Sequence, residues 1–275
     1  MSTAATRVAT TAERAIEEIE IVASDRVDDI DKALTIVHDG FVEAGYLLPQ
    51  DSGRRMHRSY LNPGTIFFIA LMDGEPVGTC AFIVDGPFGL PSDRAFVEEN
   101  DLMRAQSGQV LRECGSLSVR RDARRHTRRI VMRLIAAMSR LAYAEFPTAP
   151  IPLAVAPENR RFYEGMVGTR EVAGPRPLYG APAILLQTCG VDLAAHFATR
   201  ATPSRRMMHA LFTEPAPSWL RDRRSHLPLP QEWLQTLLDE EGVVESLADQ
   251  VRLLAATYPE ALDRILGSGA TAVAA

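Results

Sequence analysis

The sequence lacks the features of a disulfide-rich, metal-binding or membrane-spanning chain. Its three cysteines, Cys80, Cys114 and Cys189, are an odd number at wide spacings, which fits neither a disulfide framework nor a zinc pattern. The six histidines include no i, i+4 pair, so no metal site is expected. The longest apolar run is Ile66–Met72, whereas a membrane span needs about 20 residues. Because the N-terminus also carries no apolar stretch typical of a secretory signal, we expect a reduced, cytoplasmic protein without an integral membrane segment.

Lysine is almost absent, since Lys32 is the only one and arginine supplies the remaining basic charge. The formal net charge of −5 argues against general affinity for nucleic acid. Nevertheless, the fourteen residues 120–133 hold seven arginines and a single acid, Asp122. We call these arginines the arginine cluster: Arg120, Arg121, Arg124, Arg125, Arg128, Arg129 and Arg133. Such a patch on an acidic protein indicates either an acidic partner or a solvated helix face.

The apolar pattern predicts an α/β (α+β) fold, with a mixed central sheet flanked by helices in the order β-α-β-β-(α)-β-α-β-α-β-β. Two β-branched, apolar runs flank Asp73-Gly74, which is a strong hairpin signal. The later predicted elements are a strand over 110–119, a helix over 127–146, a strand over 151–155, a helix over 159–166, and strands over 170–172 and 184–188. Composition divides the chain into a flexible N-terminus (1–14), one domain (15–190), a proline-broken helical C-terminal extension (191–266) and a disordered tail (267–275).

Five segments taken in order, Val37–Leu47, Phe88–Asp93, Arg112–Val119, Ala156–Tyr163 and Arg176–Ala183, resemble the bacterial N-acyl amino acid synthases. That family is related to the GNAT acyltransferases and close to the acyl-homoserine lactone autoinducer synthases. The resemblance implies a GNAT-like acyl-CoA N-acyltransferase fold and no permanently bound cofactor. It also implies that a long-chain acyl group moves from the phosphopantetheine thioester of an acyl carrier protein to the amine of an amino acid or a similar small amine.

Acyl transfer to an amine needs a proton acceptor and a stabilised oxyanion. Glu113 lies in an otherwise apolar strand, where burial would raise the pKa of its carboxyl, and it matches the family's strand-borne glutamate. We therefore expect Glu113 to act as the general base. By the same resemblance, backbone N–H groups near Leu117, Ser118 and Val119 would polarise the thioester carbonyl where two parallel strands part. An ordinary strand position is the alternative for Ser118.

Tyr163 matches the GNAT tyrosine that protonates the leaving thiolate, although it could instead pack its helix against the sheet. Asn159, in the same segment, is predicted to contact substrate. A nucleophilic role for Cys114 is the less favoured alternative, because neighbouring strand residues point to opposite faces. On this reasoning Glu113 and Cys114 should not share one site.

The arginine cluster departs from the glycine-rich loop that GNAT enzymes use to bind the pyrophosphate of CoA, since 121–126 contains no glycine. We therefore expect acyl carrier protein rather than free acyl-CoA as the donor. Six arginines are its predicted docking residues: Arg120, Arg121, Arg124, Arg125, Arg128 and Arg129. Arg54 or Arg55, or else the neighbouring His57 or Arg58, is predicted to hold an acceptor carboxylate, for which the forked guanidinium of arginine is suited. A solvated loop is the alternative for this basic group. Phe82 is a candidate for lining the acyl tunnel.

Two other functions stay open at this point. One is an acyl-homoserine lactone-type synthase that consumes S-adenosylmethionine. The other is a non-catalytic module that binds lipid or acyl carrier protein. The presence of both Glu113 and Tyr163 argues against a non-catalytic module, whereas a Glu113 side chain buried without a cavity would favour one.

Overall fold

The computed structural model describes residues 19–24, 26–215 and 256–257. The predicted flexible N-terminus and disordered tail lie outside these residues, as does most of the predicted helical extension beyond residue 215. In the described ranges, no helix combines the length and the hydropathy that crossing a bilayer requires.

The described residues form seven strands and six helices. The strands are β1 (Ile19–Ser24), β2 (Ile66–Met72), β3 (Glu75–Val84), β4 (Arg112–Val119), β5 (Ile151–Val155), β6 (Arg170–Leu178) and β7 (Ala181–Thr188). The helices are α1 (Val27–Glu43), α2 (Asp93–Ser107), α3 (Thr127–Glu145), α4 (Arg160–Val167), α5 (Gly190–Ala198) and α6 (Pro203–Thr213). The hairpin predicted at Asp73-Gly74 joins β2 to β3, and both turn residues have positive φ, as a tight two-residue turn requires.

The strands form two antiparallel sheets rather than the single mixed sheet that the sequence predicts. One sheet has the order β1-β2-β3-β4 and the other β5-β7-β6. β4 and β5 start side by side, where the Arg112 N–H donates to the Pro150 carbonyl oxygen at 3.5 Å. The connection through α3 makes them run in the same direction. Beyond their first residues they part, because a cavity separates them, and the expected sheet is therefore open at its middle.

Alternating strand residues fill two hydrophobic cores on opposite faces of the sheets. Phe68 and Phe82 pack with α3, α5 and α6, and the α3 stripe contributes Ile130, Leu134 and Leu141. On the other face, the neighbouring residues of β2 and β3, among them Phe67, pack with α1 and α2. The two faces are thus covered by different helices, so a gap between β4 and β5 connects two different environments.

The strand β6 is longer than the short strand predicted over 170–172. Pro175 and Pro177 argue against a strand, because proline cannot donate to a ladder. They are tolerated here because β6 is the edge of its sheet and its register shifts between Ala173 and Arg176. This extension brings the turn at Tyr179-Gly180 against the cavity.

Candidate active site

A cavity of about 240 Å³ occupies the gap between β4 and β5. On the side of α3 its lining is apolar and includes Phe82, Ile135, Met138, Ala142, Leu153 and Leu193. On the opposite side its lining includes the polar residues Arg55, His57, Tyr60, Glu113, Ser116 and Tyr179. The cavity therefore passes through the sheet and joins an apolar compartment to a polar one.

Glu113 lies between the two compartments and is 3% exposed. Its Oε2 accepts hydrogen bonds from the Ser92 backbone N–H at 3.0 Å and from the Ser92 hydroxyl at 2.6 Å. Asn100 orients that hydroxyl by donating to it at 2.8 Å. Oε1 has no hydrogen-bond partner among the described residues, which leaves it for a proton or a ligand in the cavity.

The pKa of Glu113 is raised to about 8, chiefly because burial penalises the carboxylate. The hydrogen bonds from Ser92 lower it, and the charges of Asp93 and Asp85 raise it further. A carboxyl with a pKa near the working pH can both accept and release a proton, which is the property that a general base needs. Burial at the cavity thus gives Glu113 a pKa at which it can exchange a proton near neutral pH.

β4 carries a bulge next to Glu113. Gly115 pairs with Ala81, and Ser118 with Thr79, so Ser116 and Leu117 together oppose the single residue Cys80. Ser116 and Leu117 line the cavity, as does Gly115. The predicted residues Ser118 and Val119 lie beyond the cavity lining, and Ser118 packs against Gly40 of α1 instead. The structure thus brings Leu117, but not Ser118 or Val119, to the cavity.

Tyr163 and Cys114 both line the apolar compartment. Burial raises the pKa of Tyr163 to about 12, so the phenol keeps its proton at neutral pH. Burial also raises the pKa of the Cys114 thiol, which disfavours the nucleophilic thiolate. Cys114 and Glu113 do point to opposite faces, but the expectation that they cannot share a site is wrong. Both line the cavity because the cavity passes through the sheet.

His57 is buried in the polar compartment as a neutral imidazole. Its Nδ1 accepts from the Ser59 backbone N–H at 3.2 Å, so the ring proton sits on Nε2. Nε2 then donates to the Tyr179 hydroxyl at 2.5 Å, and that hydroxyl donates to the Pro91 carbonyl oxygen at 3.2 Å. The pKa of His57 is lowered well below its usual value, first by burial and then by the charges of Arg55, Arg58 and Arg94.

Arg55 and Arg94 lie against the ring of Tyr179, with guanidinium carbons 5.0 and 5.3 Å from its centroid. Arg55 lines the cavity, so the structure places one of the predicted carboxylate-binding arginines there. Arg54 is directed elsewhere and pairs with Asp31 of α1 at 2.5 Å. Among the described residues, Glu113 is the acid of the cavity lining and Arg55 is its guanidinium group.

Phe82, the candidate for the acyl tunnel, and Asn159, the candidate for substrate contact, both line the cavity. Phe82 is fully buried and stacks on Phe146, with ring centroids 5.7 Å apart. Asn159 is exposed and lies on the rim, so the cavity opens to solvent beside the start of α4.

The arginine cluster begins where β4 ends. Arg120 bonds Asp122 and the Pro76 carbonyl, and Arg124 forms a two-pronged ion pair with Glu43. The remaining predicted docking residues form no direct ion pair with an acid of the described chain: Arg121, Arg125, Arg128 and Arg129. Arg121 nevertheless lies near enough to Glu43 to lower the pKa of that carboxyl. Four exposed or half-exposed arginines thus stay available at the end of β4 where the two strands part.

The sequence predicts no role for Tyr60, Ser92, Ser116 or Tyr179, and it places His57 only among the candidates for holding the acceptor carboxylate. Only Tyr179 had a usable signal, because an aromatic residue before glycine is unusual in a hairpin turn that favours Asn-Gly or Asp-Gly. The others meet through contacts between distant segments, such as His57 with Tyr179. Among the described residues, no group of three or more histidine, cysteine, aspartate or glutamate side chains could hold a metal ion.

The strands that part around this cavity, together with the helices that flank them, have the GNAT-like fold that is also seen in FeeM. The chain belongs to the N-acyl amino acid synthase FeeM family, whose sequence model matches residues 32–189, more than half of its length. The family and the fold predicted from the sequence are therefore confirmed.

The structure resembles several solved acyltransferases at low sequence identity. FeeM, an N-acyl amino acid synthase from uncultured soil microbes, has a TM-score of 0.55 at 17% identity, covering 65% of this chain and 95% of FeeM. The CoA-dependent acyl-homoserine lactone synthase BjaI has a TM-score of 0.49 at 17% identity, covering 80% of this chain and 99% of BjaI. An acyl-CoA N-acyltransferase from Pseudomonas aeruginosa has a TM-score of 0.45 at 15% identity, covering 62% and 99%. No curated protein sequence matches the chain.

Proposed function

We propose that this acyltransferase moves a long-chain acyl group from an acyl carrier protein thioester to the amine of an amino acid or a similar small amine. The observation that carries the proposal is the cavity that joins an apolar compartment to a polar one with Glu113 between them. An acyl chain fits the apolar compartment because it gains about 0.8 kcal/mol for each buried methylene. A polar acceptor fits the other side, and the two meet at the gap.

The reaction forms a C–N bond and breaks a C–S bond. The acceptor ammonium first loses a proton, and the free amine then attacks the thioester carbon. The tetrahedral intermediate loses a second proton from nitrogen as it collapses and expels the phosphopantetheine thiolate. One proton neutralises the thiolate and the other leaves to solvent, so charge and atoms balance.

Tyr163 has the required protonation state at neutral pH, whereas Glu113, with a pKa of about 8, reaches its carboxylate form as the pH rises to that value. The Glu113 carboxyl, with its free Oε1, takes a proton from the acceptor nitrogen directly or through water. Tyr163 is protonated at neutral pH and donates to the thiolate from the apolar side. A base and an acid on opposite sides of the thioester suit a direct attack without an acyl-cysteine, which the raised pKa of Cys114 also disfavours.

The acceptor carboxylate is proposed to bind Arg55, with Arg94 close by. Both guanidinium groups lie near the Tyr179 ring, and the pKa of the adjacent His57 is lowered well below its usual value, which keeps that imidazole neutral. A charge-assisted hydrogen bond to a carboxylate is about twice as strong as a neutral one. The amine would then lie on the Glu113 side of the same compartment.

The donor is proposed to be acyl carrier protein, docked on Arg121, Arg125, Arg128 and Arg129. These arginines lie where β4 ends, so a phosphopantetheine arm entering between the parted strands would start from this surface. Exposed ion pairs contribute only about 0.2–1 kcal/mol each, so the encounter should be transient and sensitive to salt. Glu113 faces a cavity rather than a closed core, which argues against a non-catalytic binding module.

Mass spectrometry of lipid extracts tests the proposal. A bacterial host expressing this chain is compared with the same host expressing Glu113→Gln, with both proteins shown to be folded. New N-acyl amides found only with the unmutated chain would establish the reaction, and their fragment ions would identify the acceptor. Consumption of S-adenosylmethionine with release of a lactone would instead establish the autoinducer-synthase alternative. The same amides in both hosts would remove Glu113 from the mechanism.

A further inference from the structure

Ser116 has a backbone conformation that its position in a strand does not explain. Four non-glycine residues of the described chain have positive φ: Asp73, Ser116, Tyr179 and Arg200. Asp73 and Tyr179 occupy hairpin turns, and Arg200 follows the end of α5. Ser116, with φ of 56°, is the one within a strand. Left-handed backbone at a non-glycine residue is unfavourable, and such conformations cluster at functional sites.

The left-handed conformation belongs to the β4 bulge and directs the Ser116 side chain into the polar compartment. There its Oγ forms a short hydrogen bond with the Tyr60 hydroxyl. Tyr60 is 5% exposed, and its ring packs edge-on against Phe67 with centroids 5.1 Å apart. Both residues line the cavity, so the pair of hydroxyls faces whatever the cavity binds.

The two hydroxyls have different strengths as donors. A phenol has a pKa near 10 and is more acidic than an aliphatic alcohol, so Tyr60 is the donor and Ser116 Oγ the acceptor in the bond between them. Ser116 then keeps its own proton for a ligand, and the bond it receives makes that proton a stronger donor. Ser116 also adjoins Leu117, at the point of β4 where the thioester carbonyl is expected.

We propose that Ser116 is a catalytic residue, whose hydroxyl donates a hydrogen bond to the oxyanion that forms on the thioester carbonyl, with Tyr60 positioning and polarising it. The inference rests on the acyltransferase reaction proposed above and adds two residues to it. The strained backbone has a function on this account, because a regular β4 would turn the Ser116 side chain away from Tyr60.

Two substitutions at one position separate catalysis from structure. Ser116→Ala and Ser116→Gly both remove the hydroxyl, but only glycine adopts positive φ without strain. The glycine variant should therefore unfold at a higher temperature or urea concentration than the alanine variant. If Ser116 is catalytic, both variants have the same low kcat, reduced about 100- to 1000-fold as for the loss of one oxyanion donor. The KM for the acyl donor should change little.

The assay follows N-acyl product by mass spectrometry, with hexadecanoyl-acyl carrier protein as donor and the twenty proteinogenic amino acids as a mixed acceptor. Tyr60→Phe should lower kcat about tenfold, and adding it to Ser116→Ala should lower kcat no further. Tyr143→Phe, at an exposed tyrosine outside the cavity lining, is the control.

A kcat for Ser116→Ala within twofold of the unmutated chain would overturn the role of Ser116 and leave the acyltransferase reaction standing. Recovery of kcat in Ser116→Gly relative to Ser116→Ala would also overturn it, because activity would then follow stability. If the unmutated, folded chain forms no N-acyl product from hexadecanoyl-acyl carrier protein and the amino acid mixture, both the proposed reaction and the proposed role of Ser116 are refuted.

Discussion

Replacing Glu113 by glutamine should remove a loss of stability that the unmutated protein undergoes as the pH rises to about 8. The folded protein holds the pKa of Glu113 at about 8, against 4.5 for an ordinary glutamate, so it binds the proton more tightly than the unfolded chain does. The stability that this proton provides is fully present below about pH 4.5 and is lost as the pH rises through about 8. Glutamine has the same shape, accepts the same bonds from Ser92, and does not titrate.

The magnitude follows from the two pKa values. One pKa unit corresponds to about 1.4 kcal/mol, so moving one carboxyl from 4.5 to about 8 amounts to about 5 kcal/mol over the whole range. Roughly 3 to 4 kcal/mol of this falls between about pH 5 and pH 8, where urea unfolding is easily measured. The unmutated chain should therefore lose roughly 3 to 4 kcal/mol of stability relative to Glu113→Gln between about pH 5 and pH 8.

The matched control is Glu99→Gln, because the pKa of Glu99 is lowered by its hydrogen bond from Arg176. Glu99 is already ionised in both the folded and the unfolded chain above about pH 5, so its difference curve should be nearly flat there. A flat curve for Glu113→Gln as well would show that Glu113 is ionised normally in the folded state, and the argument from burial would fail.

Glu113→Gln should also lower kcat by about 100- to 10,000-fold. The activity of the unmutated chain should rise with pH up to about 8, as the Glu113 carboxyl loses its proton.

Three further predictions concern the acceptor, the donor and the fold. Arg55→Ala should raise the KM for an amino acid acceptor about tenfold or more and leave the KM for the corresponding decarboxylated amine unchanged. Arg54→Ala, which breaks only the pair with Asp31, should leave both KM values unchanged. A raised KM for the amino acid in Arg54→Ala but not in Arg55→Ala would refute the assignment. Charge reversal at Arg121 and Arg125 should raise the KM for acyl carrier protein severalfold at low salt and flatten its salt dependence, and an unchanged KM would make the arginine cluster a solvated face. Gly190→Ala should lower the unfolding free energy by about 1–3 kcal/mol in urea titrations, because a Cβ there would lie 2.8–2.9 Å from the backbone of α3. An unchanged unfolding free energy would show that α5 can move away from α3 at little cost.

The elements that the sequence predicts are those whose signals are local. Asp73-Gly74 specifies its hairpin through turn chemistry, and the 3.6-residue stripe of Ile130, Leu134 and Leu141 specifies the buried face of α3. The parting of β4 from β5 has no such signal, because it depends on hydrogen bonds that two strands do not make. The prolines of β6 conceal a strand that is permitted only at a sheet edge, and edge position is a property of the whole fold.

The site divides in the same way. Burial of Glu113 can be predicted, since a single acid in an apolar strand must be covered on one face. Arg54 and Arg55 are adjacent and chemically identical, so only their three-dimensional surroundings assign one to Asp31 and the other to the cavity. His57 and Tyr179 are 122 positions apart, and their hydrogen bond depends on the turn that follows β6. The roles of Ser116 and Tyr60 depend on a bulge whose register requires both strands.

A cavity that crosses the sheet separates the requirements of the two substrates. In the proposed reaction, the acyl chain would meet side chains from β3, β5 and α3, whereas the acceptor would meet Arg55, His57 and Tyr179, which lie on the other face. Substitutions on one face can therefore change chain length or acceptor preference without disturbing the other substrate. β4 contributes to both faces of the cavity, with Glu113 and Ser116 on the polar side and Cys114 on the apolar side, and β5 does so with Leu153 and Ala154. β4 carries both proposed catalytic residues of the polar side, Glu113 and Ser116, so in the proposed reaction its bulge is the part of the fold least free to change.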